Sequence, residues 1–181
     1  MLEAETVLQF WFVDHGPSDW FAGTKAFDEA IAANFGELHS QVARGEAFGW
    51  RDSAEGRLAE VIVLDQFSRQ LFRGNARAFA SDTMALALAQ EAVRAGADLA
   101  LDAVRRPFFY LPFMHSESLL IHDEAVRLYT ALGDANLLGY EQKHREVVER
   151  YGRFPFRNAV LGRESSPAEL EHLELFAKRG F

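Results

Sequence analysis

Apolar residues recur at three- and four-residue steps along most of the chain, the period of an amphipathic α-helix and not the alternation of a strand. In TKAFDEAIAANFGELHSQVARG, Phe27, Ile31, Phe35, Leu38 and Val42 form one stripe. Thr24 stands where that helix opens and Gly45 where it stops. SAEGRLAEVIVLDQFSRQLF begins at a Ser53 N-cap and is apolar around most of its circumference, which marks a central helix. SDTMALALAQEAVRAG is alanine-rich, is capped by Ser81 or Asp82 and ends at Gly96. MHSESLLIHDEAVRLYTALG and DANLLGYEQKHREVVERYG are two further helices, each closed by a glycine. SSPAELEHLELFAKRG carries a capping box, with Ser166 as N-cap, Pro167 in the first turn and Glu169 reaching back. The RRPFFYLPF segment reads as the loop before His115. The pattern predicts an all-α chain, one domain over residues 1–181, with seven or so helices, short loops, no linker and no repeat period visible by eye.

Composition narrows the classes. The 181 residues, 49% hydrophobic and 25% charged, suffice for a packed core without covalent staples. With no cysteine, disulfides, thiolate catalysis and cysteine-held metal centres are excluded. The N-terminal stretch has acids where a secretory signal needs cations, and no apolar run approaches a membrane span, so an intracellular, cytoplasmic protein is expected. The net charge is −8, of which residues 1–60 contribute −7, from eleven acids and four bases. That balance argues against nonspecific nucleic-acid binding, which needs a broad basic face.

Laying the polar residues on the helices gives the candidate chemistry. On the central helix, Asp65 points into the face formed by Leu58, Val61, Ile62 and Phe72, and Arg69 follows one turn later. A buried carboxylate and guanidinium must be paired. A structural ion pair is the commoner explanation, and a pocket floor in which Asp65 orients Arg69 toward a ligand is the functional one. His115 and His122 are seven residues apart on one stripe, a rise of about 10 Å that is too long for two ligands of one ion. No metal site or cofactor is therefore expected. His144 lies at the centre of a stripe with Leu137, Tyr140, Val147, Val148 and Tyr151, where a lone histidine is usually a satisfied core residue. After Gly152, the segment RFPFRNAVLGRESS offers Arg153, Arg157, Asn158 and Arg163 between Phe154 and Phe156. From Arg150 to Arg163 there are four arginines and no acid. Arginine suits bidentate recognition of carboxylate or phosphate, although loop arginines also cap helix carbonyls.

Three long segments, VLDQFSRQLFRGNARAFASD, FFYLPFMHSESL and RYGRFPFRNAVLGRESSPAE, together with the early FWF and WFAGTKAFDEAI, resemble the bacterial family known as domain of unknown function nine hundred and twenty-four. The resemblance covers nearly the whole chain. It implies a tetratricopeptide-like α–α superhelix of about seven to nine helices. It places the family's signature positions on Asp65, Gln66, Arg69, Phe72, Arg73, Gly74, His115, Glu117, Gly152, Arg153, Pro155, Arg157, Asn158, Gly162 and Arg163. Ser68 and Gln70 stand where the family pattern implies proline and asparagine, and Phe156 where it implies a histidine. The family name carries no activity.

Two function classes remain open on these grounds. The first is a polar inner pocket that binds or processes a small anionic ligand. Arg69, Arg153 and Arg157 would be its clamp, Asp65, Arg73, Glu117, Asn158 and Arg163 would lie around it, and His115 or His144 would be available for proton transfer. The second is a helical adaptor that holds a peptide or partner protein in its groove. Converging polar groups in a walled pocket distinguish the first from the second. No nucleophile elbow or glycine-rich phosphate loop occurs in the sequence.

Overall fold

A computed structural model describes residues 4–179, and they are all-helical, with no strand among the described residues. The helices are α1 Ala4–Gln9, α2 Pro17–Trp20, α3 Lys25–Ala43, α4 Ala54–Ile62, α5 Ser68–Leu71, α6 Asp82–Arg94, α7 Pro107–Met114, α8 Leu119–Leu132, α9 Ala135–Tyr151 and α10 Pro167–Arg179. Three of the four expected caps form, whereas Ser81 stands at the N-cap of α6 without a side-chain cap bond. Thr24 Oγ1 accepts from the Phe27 amide, Ser53 Oγ accepts from the Gly56 amide, and Ser166 and Glu169 exchange both bonds of the capping box. Gly96, Gly133 and Gly152 adopt φ of 72°, 81° and 69° beyond α6, α8 and α9, the left-handed conformation that lets a helix end sharply. Among the described residues no helix is long and apolar enough to cross a membrane, and no group of three or more His, Asp or Glu side chains is placed to hold a metal ion.

The chain divides into two compact units, one comprising residues up to Arg73 and Arg77–Pro112, the other Gly74–Ala76 and the chain from Phe113 on. In the first, α4 and α5 are joined by a π-turn, Val63–Phe67, into one continuous helical run. Residues 58–68 of that run are all buried. α1 and α6 pack on α4, and α3 packs on α5 and the π-turn. The wide turn changes local bonding. Ser68 Oγ donates to the Leu64 carbonyl at 2.6 Å and so receives the His39 Nε2 proton at 2.7 Å. A second π-turn, Phe10–Asp14, follows α1 and carries Trp11 into the core. There its ring stacks on Trp20, whose indole N–H donates to the Trp11 carbonyl at 2.7 Å.

Gly56 shows how tightly α4 meets the preceding 3-10 turn, Phe48–Asp52. A Cβ at Gly56 would lie 2.0 Å from the Trp50 carbonyl oxygen. Replacing an exposed helical glycine by alanine usually gains about 1 kcal/mol, but Gly56→Ala is expected to lose about 1–3 kcal/mol because backbone must move. Chemical denaturation checks the sign, and an unchanged or raised midpoint would show that the crossing relaxes freely.

In the second unit, α8 and α9 form a helical hairpin across Gly133 and Asp134, cross-linked by His122–Glu141 and Asp123–Arg145. Val147, Val148 and Phe154 make a small core, with Tyr151 packed against it. The 3-10 turn Pro155–Arg157 packs on α10.

Two expectations are corrected. The RRPFFYLPF segment is not a loop, since Pro107–Met114 is helix α7 with Pro112 inside it. Its residues are apolar on every side, so no period marks them, and Pro107 at the first position is compatible with a helix start. His115 accordingly sits in the turn between α7 and α8 and does not begin a helix. Tyr140 does not share the buried stripe of α9, being 48% exposed, and His144 is half-buried at its edge.

Candidate functional site

The first unit holds Asp65, Arg69 and Arg73. Asp65 is buried at the π-turn, and its carboxylate lies 3.0 Å from Arg69 and takes the Gln66 amide at 2.5 Å. Arg69 also donates to the Asp65 carbonyl at 2.7 Å and forks onto Asp82 at 3.1 and 3.2 Å. Arg73 makes a fork onto Asp28 at 2.7 and 2.9 Å. Both guanidiniums therefore hold carboxylates of α3 or α6. Ser68 bonds His39, as above, and the Gln70 amide donates to the Trp20 carbonyl, so two of the three residues that depart from the family pattern are bonded to other segments of this unit.

The remaining site residues gather in the second unit. They form a lattice that starts from the turn between α7 and α8. Glu117 accepts the Phe154 amide at 2.8 Å and both ends of Arg163 at 2.6 and 2.9 Å. Arg163 continues to the Asn158 side-chain Oδ1 and the Phe154 main-chain carbonyl. Asn158 donates to Ser165 and to Glu169. Glu169, while completing the capping box, receives the Arg153 fork at 2.7 and 2.9 Å. Burial pushes the Glu117 carboxyl up, but the Arg163 bonds, the Phe154 amide and the charges of Arg163 and Arg157 leave it below the ordinary carboxylate range. Glu169 is held far below that range, first by Arg153 and then by the Ser166 amide. Four residues singled out from sequence, Arg153, Asn158, Arg163 and Glu117, thus form one connected network with Glu169. Its geometry locks the 152–166 segment to α10 and to the 115–118 turn.

A second cluster surrounds the buried Phe154 ring. Arg157 lies over it at 4.8 Å and donates to the His115 carbonyl at 2.8 Å. His144 stands edge-on to the same ring at 5.8 Å, and its centroid is 6.5 Å from that of His115. His144 Nδ1 donates to the Tyr140 carbonyl at 2.8 Å, which makes Nε2 the nitrogen that gains or loses a proton. Burial lowers the His144 pKa, and so do the charges of His115, His122 and Arg157; against the raising effect of the Tyr140 bond they bring it down to about 4.

The pair His122–Glu141 was not legible as a pair in the sequence. Both side chains are fully buried, with Nδ1 to Oε1 at 2.7 Å and Nε2 to the Ser116 carbonyl at 2.9 Å. Burial raises the Glu141 pKa against the opposing effects of His122 and Arg145. His122 thereby tethers the carbonyl between His115 and Glu117, the two turn residues that face the other clusters. Glu60, buried under an Arg51 fork at 2.7 and 2.6 Å, was likewise missed. Its one sequence signal is a charged residue within the continuous apolar run.

The described residues are thus all-helical, and the second unit is latched by the arginine–carboxylate forks Arg153–Glu169 and Arg163–Glu117. The chain belongs to the family described as bacterial protein of unknown function (DUF924), whose model matches residues 7–176. Among solved structures it is similar to the protein of unknown function ATU0120 from Agrobacterium tumefaciens, with 42% identity and a TM-score of 0.90 over 94% of this chain and 96% of that one. No curated protein matches the sequence.

Proposed function

We propose that the protein binds a small anion at the cluster formed by His115, His144 and Arg157 around Phe154. The observation that carries this reading is the placement of His144 and the Arg157 guanidinium against one buried ring, with the His115 imidazole 6.5 Å from that of His144. In a chain of net charge −8, Arg157 supplies this cluster with its fixed positive charge. Arg153 and Arg163 support it from outside, because each forks onto a carboxylate of its own. Arg157 is planar and rests on an aromatic face, which preorganises it for a carboxylate, sulfate or phosphate oxygen.

A bound anion favours the protonated imidazole. Free His144 is neutral above about pH 4, so an anion that raises this pKa takes up a proton between the free and the bound value, and affinity falls as pH rises through that window. Sulfate is expected to raise the melting temperature of the wild type more at pH 6 than at pH 8, approaching about 2.7 kcal/mol of stabilisation at a hundredfold excess over its dissociation constant. Arg157→Ala and His144→Gln should each lose that response. An equal rise in wild type and both variants would identify general salt screening and remove the site.

A further inference from the structure

The cluster is bordered by aromatic rings that the anion reading does not use. Phe156 is 43% exposed and packs on Phe154 at 5.5 Å with an interplanar angle of 34°. The Arg157 guanidinium lies 5.7 Å from the Phe156 centroid as well as 4.8 Å from that of Phe154. On α9, Tyr140 stands one turn before His144 and on the same face. Its ring, close to half exposed, lies beneath the Lys143 ammonium at 5.4 Å. Single exposed hydrophobic residues are ordinary on protein surfaces. Here, however, two half-exposed rings each lie against a cation; Phe156 packs within the cluster, and the Tyr140 main-chain carbonyl bonds His144.

An inorganic anion would use the cations alone and leave both rings in water. A carboxylate attached to a flat apolar ring would use both features, with its charge on Arg157 and the imidazoles and its ring against Phe156. Offset or edge-on contact between aromatic rings is favourable beyond the area it buries. Phe156 cannot donate a hydrogen bond, so a second charged group on the ligand would gain nothing there. Resting on the anion-site reading, we propose that the ligand class is an aromatic carboxylate and that Phe156 is the residue that selects it.

Benzoate, acetate and sulfate are the probes, titrated while the His144 imidazole resonances are followed by NMR. Wild type is expected to bind benzoate about tenfold more tightly than acetate, the ratio that one ring–ring contact supplies. Phe156→Ala should abolish most of that ratio and leave the acetate affinity unchanged, and Phe156→Leu should fall between. Acetate binding with a ratio near one in wild type overturns the aromatic class while the anion site stands. A benzoate preference that survives in Phe156→Ala overturns the role of Phe156. If none of the three anions perturbs His144, the anion reading fails, and this proposal fails with it.

Discussion

Glu117→Ala is expected to lower the stability of the protein by about 3 kcal/mol, at the low end of the range for breaking a buried charge pair because the site keeps some access to water. The carboxylate satisfies three donors, the Phe154 amide and two Arg163 nitrogens. Removing it leaves a half-buried guanidinium facing the Asn158 and Phe154 oxygens and strips an acceptor from the backbone of Phe154, the ring that Arg157 and His144 face. Glu117→Gln should cost less, since one oxygen remains for the Phe154 amide while the new NH2 group opposes Arg163. The double variant Glu117→Ala, Arg163→Met should cost clearly less than the sum of its parts, because residues in direct contact are not additive. Urea denaturation of the four proteins measures the coupling. A loss below about 1 kcal/mol for Glu117→Ala, or full additivity, would mean that the latch is a surface ornament.

Particular residues show which parts of this arrangement were legible beforehand. Thr24, Ser53 and Ser166 were readable as caps because each satisfies a backbone donor only three residues away. Asp65 and Arg69 were readable as a pair because four residues is one helical turn. The further partner of Arg69, Asp82, lies thirteen residues on, and Arg163 finds Glu117 forty-six residues back. No local pattern encodes such distances. They are set by how helices pack, and that depends on the summed shape of many side chains. The arginine-rich segment was visible as a concentration of charge, but the division of labour within it was not. Arg153 and Arg163 differ from Arg157 only in what stands opposite them. Helix α7 was missed for a different reason. FFYLP is buried throughout, so it has no polar face, and the proline inside it argued for a loop. His122 was visible as an inward histidine, yet its acid, Glu141, sits at a helical position where a solvent-facing glutamate would look the same.

The pair on the central helix reverses the order of effects that its sequence suggests. From sequence, Asp65→Ala would strand Arg69 and cost most. In the structure Arg69 also holds Asp82 and the Asp65 main-chain carbonyl, both of which survive that substitution, and about a fifth of its side chain reaches solvent. Asp65 itself is 1% exposed, and its cation is Arg69. Arg69→Met should therefore be the more damaging change, at about 3–5 kcal/mol, since it leaves a buried carboxylate without this partner. Asp65→Ala should cost about 2 kcal/mol, mainly by depriving the buried Gln66 amide of its acceptor. Replacing both, as Asp65→Leu with Arg69→Met, removes the buried carboxylate together with this cation and should recover much of the loss seen in Arg69→Met alone. Equilibrium denaturation of the three variants gives the order directly. A double variant less stable than Arg69→Met would show that the carboxylate has stronger support than Arg69 and Gln66 supply, and a larger loss in Asp65→Ala than in Arg69→Met would show that Asp82 does not hold the guanidinium.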